Sequence, residues 1–135
     1  MSDDKHNKIR LLIIEAHPAV RRALGLRLRA VASMDVVATV ASLVEAETAV
    51  YLHQPDCILL GLSGLGQDHL HQPVRAVARL AKNTAVIVLV PYADDLAREL
   101  FLQAGASRYL LKNIDTTQLI HEIEQVSTQQ QSITC

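Results

Sequence analysis

Short apolar runs alternate with longer segments of helical periodicity along the chain. The runs are continuous rather than alternately polar and apolar, which is typical of strands buried on both faces of a parallel sheet covered by helices. Because the runs are short and mostly rich in β-branched residues, they predict five strands: Ile9–Ile14, Val36–Ala41, Cys57–Leu60, Ala85–Val90 and Tyr109–Leu111.

Between the runs, apolar side chains recur every three or four residues, the period of a helix with one buried face. Pro18 favours the first turn of a helix, and Gly105 favours the end of one. Ser42, followed three residues later by Glu45, matches a capping box. These signals predict five helices: one after His17-Pro18, then 42–52, 73–82 and 94–105, and a last one opening at Asp115 or Thr116.

The regular alternation of strand and helix predicts a doubly wound α/β fold. Parallel strands joined by right-handed crossovers give a five-stranded sheet with helices on both faces. The 135 residues suit a single domain, which we assign to residues 8–126. Residues 1–7 are expected to be a disordered N-terminus, and the polar residues 127–135 a tail or the start of a linker.

Composition narrows the function classes. Half of the residues are hydrophobic and only 3 % are aromatic, so the core must be aliphatic. The net charge of −1 gives no general attraction to nucleic acid or to an anionic membrane. No apolar stretch approaches the roughly 20 residues of a membrane span. Cys57 and Cys135 make neither a disulfide framework nor a metal spacing, so we expect a cytoplasmic location.

Four stretches of the sequence carry a family resemblance: LLIIEAHPAVRRAL (11–24), PDCILLGLSGLGQDHL (55–70), AVIVLVPYADD (85–95) and GASRYLLKN (105–113). Together they resemble the receiver domain of bacterial response regulators, in the subgroup that precedes LuxR-type helix-turn-helix domains. They occur in the family's order and spacing over residues 8–126. The resemblance implies a (βα)5 flavodoxin-like fold and a role in two-component signal transduction and transcription regulation.

The resemblance also implies where the phosphorylation site of such a domain would lie. In the family, an acidic pair, a phosphorylated Asp, a Thr or Ser and a Lys follow the ends of strands. The corresponding positions here are Glu15 and Ala16 for the acidic pair, Gly61 for the phospho-acceptor, Val90 for the hydroxyl residue and Lys112 for the lysine.

Most of these positions lack the chemistry of phosphorylation. The reaction needs a carboxylate nucleophile and Mg²⁺ held by several oxygen ligands. Gly61 offers no nucleophile, Glu15 is the only acid left of the pair, and Val90 cannot bind a phosphoryl oxygen. We therefore expect a pseudo-receiver with lost or weak Mg²⁺ binding, no catalytic residue, no metal site and no enzyme activity.

Lys112 then needs another partner at the site. We predict an ion pair between Lys112 and Glu15 that fills the vacated pocket; the alternative is a lysine that reaches solvent. Tyr109 stands at the position of the family's switch aromatic, and we expect it to keep one rotamer rather than to switch.

The resemblance further implies how such a domain acts. Receivers commonly pair through the fourth helix, fifth strand and fifth helix, or through the first and fifth helices. We expect a protein partner or a homodimer on one of these faces. DNA would be contacted only through an effector domain outside this chain, which itself has no recognisable helix-turn-helix.

Two other functions stay open at this point. The pocket beside Gly61, Val90 and Lys112 would suit a sensor of anionic small molecules. A phospho-receiver with a non-standard acceptor would have to use Ser63 or Asp68, which follow the third strand. Asp56 begins that strand and is expected to lie at its opposite end.

Weaker signals favour ordinary surface features. Gly61, Gly64 and Gly66 form G-x-x-G-x-G, which matches neither the dinucleotide fingerprint nor a P-loop. His69 and His71, with His17 and Glu15 at the same end of the sheet, are more readily explained as exposed side chains than as metal ligands. Four arginines of the first helix are expected to form a solvated face, with a partner surface as the alternative: Arg21, Arg22, Arg27 and Arg29.

Overall fold

The structure is a computed structural model that describes residues 8–63 and 69–134. Strands and helices alternate throughout. The strands are β1 (Ile9–Glu15), β2 (Met34–Val40), β3 (Cys57–Gly61), β4 (Ala85–Val90) and β5 (Arg108–Leu111). The helices are α1 (Pro18–Arg29), α2 (Leu43–His53), α3 (His71–Leu80), α4 (Asp95–Ala104) and α5 (Thr116–Thr134).

The five strands form one parallel sheet in the order β2-β1-β3-β4-β5. This confirms the predicted flavodoxin-like (βα)5 fold. Strand β1 lies between β2 and β3, so the strand order reverses there and the carboxyl ends of β1 and β3 form the switch point. The register sets Glu15 beside Gly61, and Gly61 beside Leu89.

Two aliphatic cores lie on opposite faces of the sheet. On one face, α2, α3 and α4 cover alternate side chains of the central strands, and Phe101 is fully buried there. On the other face, α1 and α5 contribute Leu24, Leu28 and Ile123. Cys57 lies in this second core, and its burial raises the pKa of the thiol far above its usual range.

Ser42 caps α2 as predicted, since its side chain accepts a hydrogen bond from the backbone N–H three residues on. Asp94, predicted only as the start of a helix, caps α4 in the same way. Gly105 ends α4 with φ of 116°, a left-handed conformation that glycine adopts without strain. His17 caps α1, because its ring Nδ1 accepts from the backbone N–H of Val20 at 3.4 Å.

Two helices differ in extent from the sequence prediction. Helix α3 has the predicted length but lies two residues earlier, at His71–Leu80 rather than 73–82, because a proline is tolerated in the first turn of a helix. Helix α5 continues to Thr134, through residues assigned to a polar tail; residues 116–134 contain neither proline nor glycine to stop it. The assigned N-terminal segment 1–7 lies outside the described residues. Within 8–63 and 69–134, no helix is long and apolar enough to cross a bilayer.

Candidate functional site

The candidate site lies at the carboxyl edge of the sheet. Glu15 and Gly61 are the last residues of neighbouring strands, and Val90 is the last residue of β4. Lys112 directly follows β5, and its backbone N–H donates to the carbonyl of Val90 at 2.7 Å. Ala16 follows β1 and is exposed. The structure thus brings Glu15, Gly61 and Lys112 together at this edge, whereas the Val90 side chain lies in the core on the other face of the sheet and Ala16 is exposed.

Glu15 is the centre of this arrangement. Its side chain is 1 % exposed, and its Oε1 lies 2.8 Å from Nζ of Lys112. Its Oε2 accepts from the backbone N–H of His17 at 3.0 Å. The predicted ion pair is therefore present, and the buried carboxylate has a partner for each oxygen, as burial of a charge requires.

Gly61 is packed directly against this carboxylate. A Cβ atom added at Gly61 would overlap Oε1 of Glu15 and would lie 3.1 Å from its Cδ. The space in which a side chain at position 61 would begin is thus already filled by Glu15. The Glu15 side chain, rather than empty space, therefore lies beside the Cα atom of Gly61.

Arg21 and His17 hold the end of β1 through hydrogen bonds to Glu15, and the sequence pattern did not identify either role. The Arg21 guanidinium donates to the carbonyl of Glu15 at 2.8 Å and more weakly to that of Ala16 at 3.4 Å. Arg21 is half-buried, so it does not belong to the expected solvated face. Two features of the sequence could have indicated these roles: an arginine one turn into α1 and a histidine directly before Pro18.

A small cavity lies beside Lys112. Its volume is about 20 Å³, and the described residues that line it, between α1 and α5, include Glu15, Leu24, Arg27 and Lys112. This volume holds about one water molecule. Val90 is buried in the core on the other face of the sheet. The cavity is therefore formed on the α1–α5 face, where Val90 does not contribute.

Tyr109 connects β5 to the start of α4. Its hydroxyl accepts a hydrogen bond from the backbone N–H of Asp94 at 3.2 Å. Its ring stacks on Phe101 with centroids 6.2 Å apart and an interplanar angle of 24°. The half-buried tyrosine at this position thus contacts α4 through both its ring and its hydroxyl.

The other candidate acceptors are distant from this site or outside the described part of the chain. Asp56 accepts from the backbone N–H of Arg10 at 2.9 Å, at the amino end of the sheet, as expected. Ser63 is exposed in the loop after β3. Asp68, Gly64 and Gly66 lie outside the described residues.

The histidines do not assemble a metal site in the part of the chain that the structure describes. Over residues 8–63 and 69–134, no cluster of three or more His, Cys, Asp or Glu side chains could hold a metal ion. His69 and His71 are exposed, and His71 lies 3.4 Å from the guanidinium of Arg75. His17 serves as the cap of α1.

Known structures share this fold. The signal receiver domain of NarL from Mycobacterium tuberculosis superposes with a TM-score of 0.77 at 21 % identity, over 90 % of this chain and 98 % of that one. A DNA-binding response regulator of the LuxR family from Staphylococcus aureus superposes with a TM-score of 0.76 at 18 % identity, over 88 % of this chain and 98 % of that one. At these identities the likeness establishes the fold alone.

Sequence comparison gives the family. The oxygen regulatory protein NreC of Staphylococcus carnosus is 32 % identical over 119 residues, and that of Staphylococcus epidermidis is 30 % identical over 118 residues. Each match covers 87 % of this chain and 54 % of the relative, so the chain spans about half the length of these curated relatives. The family model of the response regulator receiver domain matches residues 11–124. The chain therefore belongs to the response regulator receiver domain family.

Proposed function

We propose that this chain is a receiver domain that works without aspartyl phosphorylation. The observation that carries the proposal is the placement of the Glu15 carboxylate against Gly61 and in an ion pair with Lys112. The position expected to accept a phosphoryl group has no side chain, and the lysine expected to bind that group already has an anionic partner.

The residues present do not fit a Mg²⁺ site. This ion prefers octahedral coordination by several oxygens, usually from one or two carboxylates, water and phosphate. Glu15 is the only acid at the positions of the acidic pair, and both its oxygens already accept from Lys112 and His17. Ala16 supplies no oxygen from its side chain. We infer that Mg²⁺ binding is weak or lost, and that the domain has no enzymatic role.

A receiver of this kind acts through the surfaces that it presents. A ligand or a modification changes the populations of two conformations of a receiver only when it favours one of them. In this chain the Glu15–Lys112 pair favours one conformation without any ligand. We propose that this arrangement is read in the cytoplasm by a protein partner or a second copy, on the α4–β5–α5 face or on α1 and α5. Leu96 and Leu111 are exposed on the first of these faces.

Membership of the response regulator receiver family and the similarity to the oxygen regulatory protein NreC support a regulatory part in a two-component system, and we propose transcription as the process regulated. The chain itself would contribute the receiver function, and any contact with DNA would be made by an effector domain.

The sensor of anionic small molecules has less support. Lys112 is already paired, and the cavity beside it holds about one water molecule. A thermal-shift series with inorganic phosphate, acetate and citrate should leave the melting temperature unchanged beyond the general effect of salt, whereas a specific ligand would raise it with concentration.

Intact-mass spectrometry after incubation with acetyl phosphate and Mg²⁺ tests the main proposal. We expect no gain of one phosphoryl group, while a receiver that retains its acceptor aspartate, treated in parallel, gains one. A base-labile adduct on this chain would refute the proposal, because that lability marks an acyl phosphate on a carboxylate such as that of Asp68. A phosphomonoester on Ser63 would instead survive mild base, and peptide mapping would locate either adduct.

A further inference from the structure

Helix α3 is basic along its exposed side. His71, Arg75 and Arg79 follow one another at intervals of four residues, so their side chains lie on the same side of the helix. All three are exposed, whereas Val77 is buried against the sheet. Residues 71–83 contain no acidic residue, although the whole chain has a net charge of −1. We call the exposed side chains of His71, Arg75 and Arg79 the basic side of α3.

The described residues supply one carboxylate to this side. Nε of Arg79 lies 3.0 Å from Oε2 of Glu47 on α2, and both side chains are more than half exposed. The Arg75 guanidinium instead contacts the ring Nε2 of His71 at 3.4 Å. An imidazole is no counter-ion, so no acid within residues 8–63 and 69–134 balances the charge of Arg75. A guanidinium in this state can bind a carboxylate through two parallel hydrogen bonds.

An apolar groove lies beside these charges, between α2 and α3. Its volume is about 350 Å³, and among the described residues Leu43, Val44 and Ala76 form its apolar part. Arg75 and Arg79 line the same groove. A polypeptide that places carboxylates on the two arginines can therefore put apolar side chains into the groove, which the backbone of a nucleic acid cannot do.

We propose that the basic side of α3 binds an acidic helical segment of a protein partner. A helix rises about 1.5 Å per residue, so Arg75 and Arg79 are about 6 Å apart along the axis of α3. Carboxylates four residues apart on a partner helix have the same spacing. Glu47, which is itself carried by a helix, already binds Arg79 in this way.

Charge also favours an acidic segment over nucleic acid. The net charge of −1 gives a polyanion no general attraction to this chain, and Glu47 would repel phosphate groups at the groove. A short acidic segment needs only the local cations. The basic side of α3 is separate from the α4–β5–α5 face and from the face of α1 and α5, so this contact is additional to those proposed above.

An NMR titration of the ¹⁵N-labelled chain tests the binding. The probe is a synthetic peptide of about 15 residues, long enough to form a helix, with Glu at intervals of four residues and Leu beside them. The same peptide with Gln in place of Glu is the control. We expect the Glu peptide alone to shift the amide signals of α3 and of the α2 residues at the groove, and its affinity to fall as salt is added.

Charge-neutralising variants locate the contact. Arg75→Gln with Arg79→Gln should weaken binding of the Glu peptide at least about tenfold, because hydrogen bonds to charged groups are lost. Arg22→Gln with Arg29→Gln removes the same charge from exposed positions on α1 and should leave the affinity unchanged. Glu47→Gln should tighten binding, since it frees Arg79 from an exposed ion pair of small energetic worth. Circular dichroism should show that all variants are folded.

Three results would overturn the inference. The first is an absence of shifts in α3 with the Glu peptide at about 1 mM, which bounds the affinity below a useful value. The second is equal weakening by the two double variants, which would make net charge the only cause of binding. The third is tighter binding of a double-stranded DNA oligonucleotide than of the Glu peptide at the same salt concentration, which would assign this side to phosphates. None of these depends on the phosphorylation test, so the two proposals fail separately.

Discussion

The Glu15 carboxylate fills the space in which a side chain at Gly61 would begin. The two residues end neighbouring strands, and a Cβ atom at Gly61 would overlap Oε1 of Glu15. Because that oxygen also pairs with Lys112, it cannot move away without giving up the ion pair. The glycine and the glutamate are therefore complementary in shape, and this complementarity gives the first prediction.

Gly61→Ala should destabilise the fold by about 1–3 kcal/mol, the usual cost of overpacking a closed site. The cost is steric, because the positive-φ glycine of the described residues is Gly105 and not Gly61. Urea unfolding measures it. Gly25→Ala is the matched control: its Cβ would meet mainly the flexible end of Arg29 at 3.3 Å, and the substitution in a helix should stabilise by up to about 1 kcal/mol.

The same substitution in a Glu15→Ala background separates this contact from other effects. There Gly61→Ala should cost much less, and the difference between the two backgrounds is the coupling energy of the pair. Equal costs in the two backgrounds would show that the penalty for a methyl group at position 61 does not come from contact with Glu15.

Lys112→Met should destabilise by about 2–4 kcal/mol, because it leaves the buried Glu15 carboxylate without its cation. The lower part of this range applies if solvent reaches the site, since Lys112 is itself 21 % exposed. The double variant Glu15→Gln with Lys112→Met should be more stable than Lys112→Met alone. If the double variant were the less stable, an unpaired charge could not be the cause of the loss.

Tyr109→Phe should cost about 0.5–1.5 kcal/mol, the net contribution of one hydrogen bond, because it leaves the backbone N–H of Asp94 without the Tyr109 hydroxyl. Tyr92→Phe removes an exposed hydroxyl and should change the unfolding free energy by less than about 0.5 kcal/mol. In the Tyr109→Phe variant, amide hydrogen exchange at the first turn of α4 should also become faster. Unchanged exchange there would contradict the proposed tie between β5 and α4.

Cys57 should make the fold less stable at alkaline pH. Burial, with the nearby charge of Asp56 as a smaller cause, raises the pKa of its thiol, so the folded state keeps the proton that the unfolded chain releases near pH 9. The unfolded state then binds fewer protons than the folded state. The stability that the Cys57 proton contributes is fully present below that pH, and above it the free energy of unfolding falls by at most about 1.4 kcal/mol per pH unit.

Urea unfolding between pH 7 and pH 10, in steps of about one pH unit, measures the effect. Cys57→Ala should lower stability at neutral pH by about 1–2 kcal/mol through lost packing, and it should show a shallower alkaline decline than the unmodified chain. Cys135→Ala serves as the control and should keep the steep decline. Parallel curves for all three chains would rule out a contribution from Cys57.

The fold could be predicted from the sequence because its strands are short, apolar and separated by capped helices. Parallel strands bring their carboxyl ends to one edge, which is why Glu15 and Lys112 could be expected to meet although they are far apart in the chain. The pattern was least informative at helix ends. Pro73 looked like a start but lies within the first turn of α3, and residues after Val126 continue α5 although they are polar.

The atomic contacts of the site were beyond such reasoning. Whether Glu15 turns toward Gly61, whether Arg21 bonds to the carbonyl of Glu15, and whether the ring of His17 caps α1 all depend on side-chain rotamers, which no periodicity encodes. The exposed face of α2 was hidden for another reason. That helix is apolar on both sides, so its sequence does not distinguish Ala46, which is buried, from Tyr51, which is not.

The contact between Glu15 and Gly61 limits how this site could be re-engineered as a phospho-acceptor. An aspartate introduced at position 61 must enter space filled by Glu15, and it meets no second acid at Ala16. Such a change alone would incur a steric penalty before any gain in reactivity. The two positions are therefore epistatic: a gain of function at position 61 requires a compensating change at Glu15, so a single substitution is not enough.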